Sequence, residues 1–397
     1  MKRLLRVSLD TLAASLMSIL IFVMLSIFFD KSLINIFSLT FPIQYLSCII
    51  SSIFSTGANI SKQKGNSNDV MSGIAVGIII SIIIFSVLLF NVDNYLNFMN
   101  YDTDKFFVCY SIIQILFQTL LRFIINKLYY EKNNNLANKF SLTFYLINFI
   151  CVLFTAASFK NKFLTIIFTL CCLFIYLIFI YIKSFQKFKL NFNVLKWIKY
   201  DSVELSNYIL LLISYLFGIS NTISYGENYA LALTITSLIT DTQWDISDSI
   251  SIISKIDISK NEFNYKRHLK NSIKLSSILI LSVLVMFFIT FGIYKFDINI
   301  ALIFIIFHIL DFIICPLYKI DIYYLQLEYS TIKAVAINSS SKILRLILSF
   351  LKSPYCTVIA QFAASFYLLV ISHIILKKNF SINKSGEITI KKEEPIV

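Results

Sequence analysis

Three aspartates, Asp241, Asp245 and Asp248, recur at intervals of four and three residues in the run Ala230-Leu-Ala-Leu-Thr-Ile-Thr-Ser-Leu-Ile-Thr-Asp-Thr-Gln-Trp-Asp-Ile-Ser-Asp248. At 100° per residue they fall within an arc of about 60° and climb about 10 Å of one helix face, a polar stripe that Thr234 and Ser237 extend. Carboxylates that close repel one another, which favours uptake of a proton or a cation by at least one of them. If the helix ends early, Asp245 and Asp248 lie in a loop instead. A second constellation is His308-Ile-Leu-Asp311, an imidazole and a carboxylate on adjacent turns of an otherwise apolar stretch. The imidazole titrates near neutrality and the carboxylate accepts a cation, so the pair suits a proton or sodium relay. The bland reading is a static internal hydrogen bond or ion pair that locks two helices. Asp10 and Glu204 are secondary candidates, each near the start of its apolar run, where an interface accommodates a charge. Lys342 and Arg345 would neutralise buried acids, meet an anionic cargo or snorkel to the surface. Tyr208 and Tyr215, seven residues apart and so on one helix face, offer aromatic surface together with Trp244, and the same spacing serves ordinary packing.

The elements that must carry these residues follow from composition. Hydrophobic residues make up 57% of the 397, and charged residues only 14%. Mean hydropathy is +0.77. No soluble domain of this length hides that much apolar surface, whereas a bilayer core requires it. Runs of roughly 20 apolar residues, the length that crosses about 30 Å of hydrocarbon, occur at 8–28, 33–56, 72–90, 106–126, 137–158, 162–182, 203–223, 229–252, 272–293, 298–318, 329–350 and 355–376. The expected fold is therefore an all-α integral membrane protein of twelve transmembrane helices, because hydrocarbon leaves backbone groups no other partners. The layout repeats after about 198 residues: Asn59-Ile60-Ser61-Lys62 returns as Asp257-Ile258-Ser259-Lys260, with the later spans similarly spaced. Two six-helix bundles related by this internal repeat are expected, over 1–183 and 203–377. A basic linker at 184–202 would join them, and 378–397 would form a tail. The linker mixes apolar residues with lysines, and its second half reads as an interfacial helix. Gly73-Ile-Ala-Val-Gly77 matches the pattern that lets helix backbones approach, and reads as packing.

The net charge of +13 would suit nucleic acid, but its distribution argues against that. With the N-terminus inside, most of the 35 lysines and arginines fall in the segments on one side of the membrane, while the 91–104 loop opposite carries Asp93, Asp102 and Asp104. This is the positive-inside asymmetry, which sets both termini in the cytoplasm and turns the basic surface toward anionic lipid headgroups. The first apolar run continues to full spanning length without a small-residue cleavage site, so it reads as a span rather than a removable signal. The seven cysteines are scattered through the spans and read as packing residues. No Walker A sequence, G-x-G-x-x-G or H-E-x-x-H occurs, and His268, His308 and His373 are widely separated. A membrane-bound transferase would need a His or Asp motif in a surface loop, for which His268 beside Arg267 is a lone candidate. The chain is therefore expected to be no enzyme and to use no cofactor, its energy coming from an ion gradient.

The stretch Ser52-Ile-Phe-Ser-Thr-Gly57-Ala-Asn-Ile-Ser-Lys-Gln63-Lys-Gly65 resembles the end of the second span and following loop of multidrug and toxic compound extrusion (MATE) transporters, where a glycine-containing helix end runs into a Gln-x-x-Gly-like turn. Tyr229-Ala-Leu-Ala-Leu-Thr-Ile and the loop after Ile258 resemble the equivalent part of the second half, and the likeness in layout covers nearly the whole chain. The resemblance implies two six-helix bundles around a central cavity and sodium- or proton-coupled export of small organic, often cationic, compounds from a plasma membrane. Asp311 is similar to the family's tenth-helix acid that helps bind the coupling cation, so a sodium site there is expected. Glu204 sits two turns too early to match the seventh-helix acid, and Asp10 lies too near the start to match the first-helix acid. Either the eighth-span aspartates have taken over the coupling or this is a divergent branch with another cargo. The alternative within the superfamily is a flippase for a lipid-linked oligosaccharide or another lipid-linked precursor, which would set arginine and lysine toward the cavity. A monomer in contact with membrane lipid is expected.

Overall fold

The computed structural model describes residues 19–63, 69–131, 133–184, 190–200, 202–240, 254, 263–382, 386 and 388–390. Helix α1 is Ile19–Phe28. Asp30 accepts from the Ser32 backbone N–H at 2.8 Å and caps a 3-10 turn over Lys31–Asn35, which runs on into α2, Ile36–Ser51. A π-helical turn at Ser52–Gly57 leads to α3, Ala58–Gln63. There follow α4 (Asp69–Phe90), α5 (Val92–Phe98), α6 (Lys105–Tyr130), α7 (Asn134–Phe159), α8 (Lys162–Ser184), α9 (Val194–Tyr200) and α10 (Ser202–Ile223). A further helix, α11, occupies 227–240. The remainder is α12 (Tyr265–Tyr294), α13 (Ile298–Glu328), α14 (Thr331–Ser349) and α15 (Cys356–Asn379), then strands β1 (Phe380–Ile382) and β2 (Ile388–Ile390).

The chain is thus a helical, multi-pass membrane protein, and each of the twelve expected spans is helical wherever it is described. Among the described residues seven helical segments are long and apolar enough to cross a bilayer: 31–57, 69–90, 105–128, 135–159, 162–184, 298–322 and 356–379. Ile19–Phe28, Asn207–Ile223 and Ile280–Tyr294 are shorter apolar stretches. α14 falls outside both groups because Lys333, Asn338-Ser-Ser-Ser341, Lys342 and Arg345 dilute its apolar character.

The helices form two compact units, Ala13–Thr234 and a second comprising Met1–Leu12 with Ile235–Val397, so the division falls within α11. The basic segment before α10 belongs to the first unit, and one residue ties it there. Asp69, at the start of α4, has no exposed surface. Its carboxylate accepts from Ser61 Oγ on α3, from Asn191 Nδ2 at 2.8 Å, from Asn193 Nδ2 at 3.1 Å and from Trp197 Nε1 at 3.1 Å. A buried carboxylate is tolerable only with such a donor shell. The Trp197 indole is fully buried, edge-on to Phe54 with ring centroids 6.3 Å apart, while Leu195 two residues earlier is exposed. The expected helix in the linker therefore forms as α9, with one face inserted into the unit.

Three glycines permit this convergence. A Cβ on Gly57 would lie 2.4 Å from the Trp197 carbonyl oxygen, and one on Gly73 2.4 Å from the Phe54 carbonyl oxygen. A Cβ on Gly77 would come within 2.8 Å of Phe54 and Phe123. The G-x-x-x-G pattern serves close packing, as its spacing suggests.

In the second unit Asn264 caps α12 through its side chain at the Arg267 N–H, 2.9 Å, and Asp297 caps α13 at Asn299 N, 2.9 Å. Pro316 inside α13 deprives the Phe312 carbonyl of its helical donor, and Ser276 Oγ of α12 supplies a replacement at 3.3 Å. The segment expected as a tail folds back: β1 pairs antiparallel with β2, Phe380 opposite Ile390. Phe380 packs among Tyr265, Ile320, Tyr324, Leu325 and Leu376. Gly386, at φ +91, accepts from the Tyr265 N–H at 2.9 Å; that left-handed backbone favours glycine.

Asp69→Ala removes the common acceptor of four donors. Each charge-assisted bond is worth about 1.5–3 kcal/mol, so amide exchange across 190–200 should accelerate about tenfold or more while exchange in α12–α15 stays unchanged. Unaltered exchange at 190–200 would show that the carboxylate does not hold this segment.

Candidate functional site

α13 carries His308 and Asp311 in the middle of the second unit, both buried. Asp311 Oδ2 accepts from Gln361 Nε2 of α15 at 2.8 Å, and Ser365, one turn further along α15, also bonds this carboxylate. Gln361 Oε1 in turn accepts from Arg345 Nη2 of α14 at 3.1 Å. A chain carboxylate–carboxamide–guanidinium thus crosses three helices. Lys342, half-buried and nearly one turn before Arg345, lies within electrostatic reach of Asp311. Asp311 Oδ1 and both ring nitrogens of His308 are buried without a hydrogen-bond partner. The direct His308–Asp311 bond expected from their spacing is therefore not made; Gln361 has taken the place of the imidazole.

Such an arrangement is unusual for a purely structural core. Most buried polar atoms are paired, and leaving one unpaired costs about 1–3 kcal/mol. Three orphaned atoms within two turns leave hydrogen-bonding capacity for a proton, an ion or a polar group of a visiting molecule. The low dielectric strengthens every interaction formed there. Arg345 and Lys342 bring positive charge to the same core, so of the roles considered for them, meeting Asp311 is the one the geometry allows for Arg345, through Gln361.

A second carboxylate on α13 is fully satisfied. Asp321 accepts from Tyr265 OH at 2.9 Å and faces His373 Nδ1 at 3.2 Å. His268 stacks on Phe263 with centroids 4.7 Å apart, and its Nδ1 lies 3.2 Å from Ser254 Oγ. Among the described residues no three His, Cys, Asp or Glu side chains gather as a metal site, and all seven cysteines are free thiols.

In the first unit the aromatic candidates behave as packing. Tyr215 of α10 stacks on Phe41 and Tyr45 of α2 at 5.7 and 5.1 Å. Tyr208 is half-buried within electrostatic reach of Arg122, whose Nη1 lies 3.3 Å from Cys48 Sγ of α2. Gln114 donates to Asn148 Oδ1 at 2.9 Å and also to Tyr110 OH. At one end of this unit a cavity of about 740 Å³ opens between the turns after α1, α5 and α10, lined by Asp30, Asp102 and Glu227 together with Asn100 and Tyr101. Burial pushes the Tyr101 phenol above its ordinary value, and Glu227 and Asp30 push in the same direction. Three carboxylates around one mouth concentrate cations there.

Asp10, Asp241, Trp244, Asp245 and Asp248 lie outside the described residues, and so does the side chain of Glu204 in the first turn of α10. Gln361 and Ser365 were not singled out in the sequence, although four-residue spacing in an apolar span sets them on one face and was a readable signal. Asp30, Asp102 and Glu227 gave none, being single acids in separate turns.

No protein-family model and no curated protein matches the chain by sequence. Solved structures do match its fold. A multidrug-resistance MATE transporter of the MOP superfamily in an inward-facing conformation superposes with TM-score 0.71 at 12% identity, over 95% of this chain and 98% of the other. The MATE multidrug transporter DinF-BH in complex with R6G gives 0.68 at 11% identity, over 95% of each chain. A MOP-superfamily transporter from Pyrococcus furiosus, described as having a binding pocket of reverse polarity that suggests a different function, gives 0.64 at 12% identity over 94% of this chain and 95% of the other. The fold is that of the MATE transporters.

If Gln361 couples the two charges, Gln361→Leu should destabilise the folded protein by about 1–3 kcal/mol, and by less in an Asp311→Asn background, where the stranded acceptor is neutral. Chemical unfolding in mixed micelles measures both. Equal costs in the two backgrounds would show that the residues act independently.

Proposed function

We propose that the chain is a cation-coupled secondary antiporter exporting small organic molecules by alternating access between two six-helix lobes. The observation that carries this reading is Asp311, a carboxylate buried in a membrane helix with one oxygen left without a partner. An intramembrane acid of that kind is expensive to retain unless it binds something. Loading it with a proton or sodium changes the charge of the core that Gln361 and Arg345 share, and so changes which packing of the surrounding helices is favoured. To reverse a 1:99 population of two states, cation and cargo together must supply about 5.5 kcal/mol of differential binding.

Supporting context comes from three sides. Structures sharing this fold include a transporter described as multidrug-resistant and another holding R6G. The cavity bordered by Asp30, Asp102 and Glu227 suits a cationic cargo arriving at or leaving that end. The lysine and arginine asymmetry favours a plasma-membrane protein with both termini in the cytoplasm. The working unit in this proposal is a monomer in contact with lipid. It has no cofactor beyond the coupling ion, acts without catalysis and needs no nucleic-acid partner. His308 would relay the proton if the coupling ion is a proton. The eighth-span acids Asp241, Asp245 and Asp248 would share the coupling.

One observation favours a second reading. Arg345 is buried on the same polar chain, with Lys342 beside it, and buried cations suit the pyrophosphate of a lipid-linked precursor, the cargo of a flippase.

The test is ethidium efflux from proteoliposomes under an imposed sodium or proton gradient, each applied separately. Wild-type protein should export with one of them, and Asp311→Asn should lower the rate about tenfold or more, as expected for loss of an interaction worth at least 1.4 kcal/mol. Gradient-driven export retained by the mutant sinks the assignment. Asp30→Asn with Asp102→Asn should raise the half-saturating ethidium concentration several-fold and leave the maximal rate unchanged, through loss of electrostatic focusing. A lowered maximal rate with unchanged half-saturation would refute that role.

A further inference from the structure

We propose that the first turns of α12 form a binding site for the headgroup of an anionic phospholipid, with one acyl chain following the same helix face into the bilayer. α12 has 30 residues and so extends about 45 Å, against about 30 Å of hydrocarbon. Its apolar stretch is the C-terminal part, Ile280–Tyr294. The first turns therefore project past the hydrocarbon to headgroup depth.

There a groove of about 370 Å³ is lined by Lys266, Leu269, Lys270, Ile273 and Lys274, with no carboxylate among these residues. Their side chains span an arc of about 140°, the three lysines stepping round by about 40° each and the two apolar residues lying beside them. Three ammonium groups on two successive turns match the acceptor oxygens of a phosphodiester. Lysine serves such a group as a mobile point charge, without the fixed fork of arginine. The C-terminal hairpin bounds one end: Gly386 sits so close that a Cβ on it would lie 2.9 Å from Lys266 Cβ.

The apolar half of the argument lies further along the helix. Ile273, in the groove, is 54% exposed, and on the same face Leu281 is 65% and Phe288 64% exposed, with Leu284 between them. From Lys274 to Phe288 this track runs about 21 Å, enough to cover one leaflet's share of the hydrocarbon. A row of cations leading directly into an exposed apolar track fits an amphiphile. A nucleic acid or an acidic peptide would leave the track uncovered.

The test titrates phosphatidylglycerol or phosphatidylcholine against the full-length protein in detergent and counts bound lipid by native mass spectrometry. K270Q/K274Q is compared with K377Q/K378Q, which removes the same charge from exposed positions at the end of α15. Wild type and the control variant should retain phosphatidylglycerol preferentially, and K270Q/K274Q should lose that preference by about tenfold or more, as two headgroup-contacting lysines imply. Inorganic phosphate should not displace the lipid. Equal losses in both variants would mean diffuse charge attraction and overturn the site, as would an unchanged preference in K270Q/K274Q. Displacement by inorganic phosphate would overturn the lipid as its occupant. Neither result bears on transport, so this inference and the proposed antiport stand or fall separately.

Discussion

A carboxylate removed from water must be solvated by the chain that buries it, and much of the first unit is arranged around meeting that demand at Asp69. Donors arrive from α3, from the segment before α9 and from α9 itself. To bring them within reach the backbones must almost touch, which explains glycine at 57 and 73, where any side chain would collide with a carbonyl. The connection between α8 and α10 is consequently part of a packed unit and not a loose tether.

Asp311 in the second unit poses the same problem and receives a different answer. Its neighbours satisfy one oxygen and leave the other bare, and His308 nearby is left wholly unpartnered. Gln361 stands between the carboxylate and Arg345, so opposite charges share a core without collapsing into a direct ion pair. A direct pair would have been self-contained. The interposed carboxamide keeps both ends answerable to a third party.

These differences explain what the sequence made legible. Spans were readable because hydrocarbon tolerates only long apolar helices, and Asp311 and His308 stood out as ionisable residues inside one. Helix ends were less legible. α12 begins at Tyr265 where an apolar run starts at 272, and α13 continues to Glu328 beyond an expected 318, because lysine- and tyrosine-rich turns stay helical after leaving the hydrocarbon. Asp69 was invisible as a hub: an acid in the first turn of a helix is an ordinary preference, and its donors are more than 120 residues away. Gln361 carries no titratable signal. Tyr215 was open to two readings, and its stacking on Phe41 and Tyr45 accounts for it as packing. That solved transporters share this fold at 11–12% identity fits the same logic, since apolar residues of similar bulk exchange freely wherever only lipid or packing is at stake.

The π-helical turn at Ser52–Gly57 has one more consequence. It accommodates a residue that a regular α-helix would not, and Phe54 within it touches Gly73, Gly77 and Trp197. Deleting a single residue here would let the helix relax to regular geometry, turning all that follows by about 100° and withdrawing it by about 1.5 Å. Ser61 would swing off Asp69. At this point in the chain heredity must therefore conserve a count rather than a spelling: substitutions that keep the bulk are survivable, whereas the loss of one codon is not.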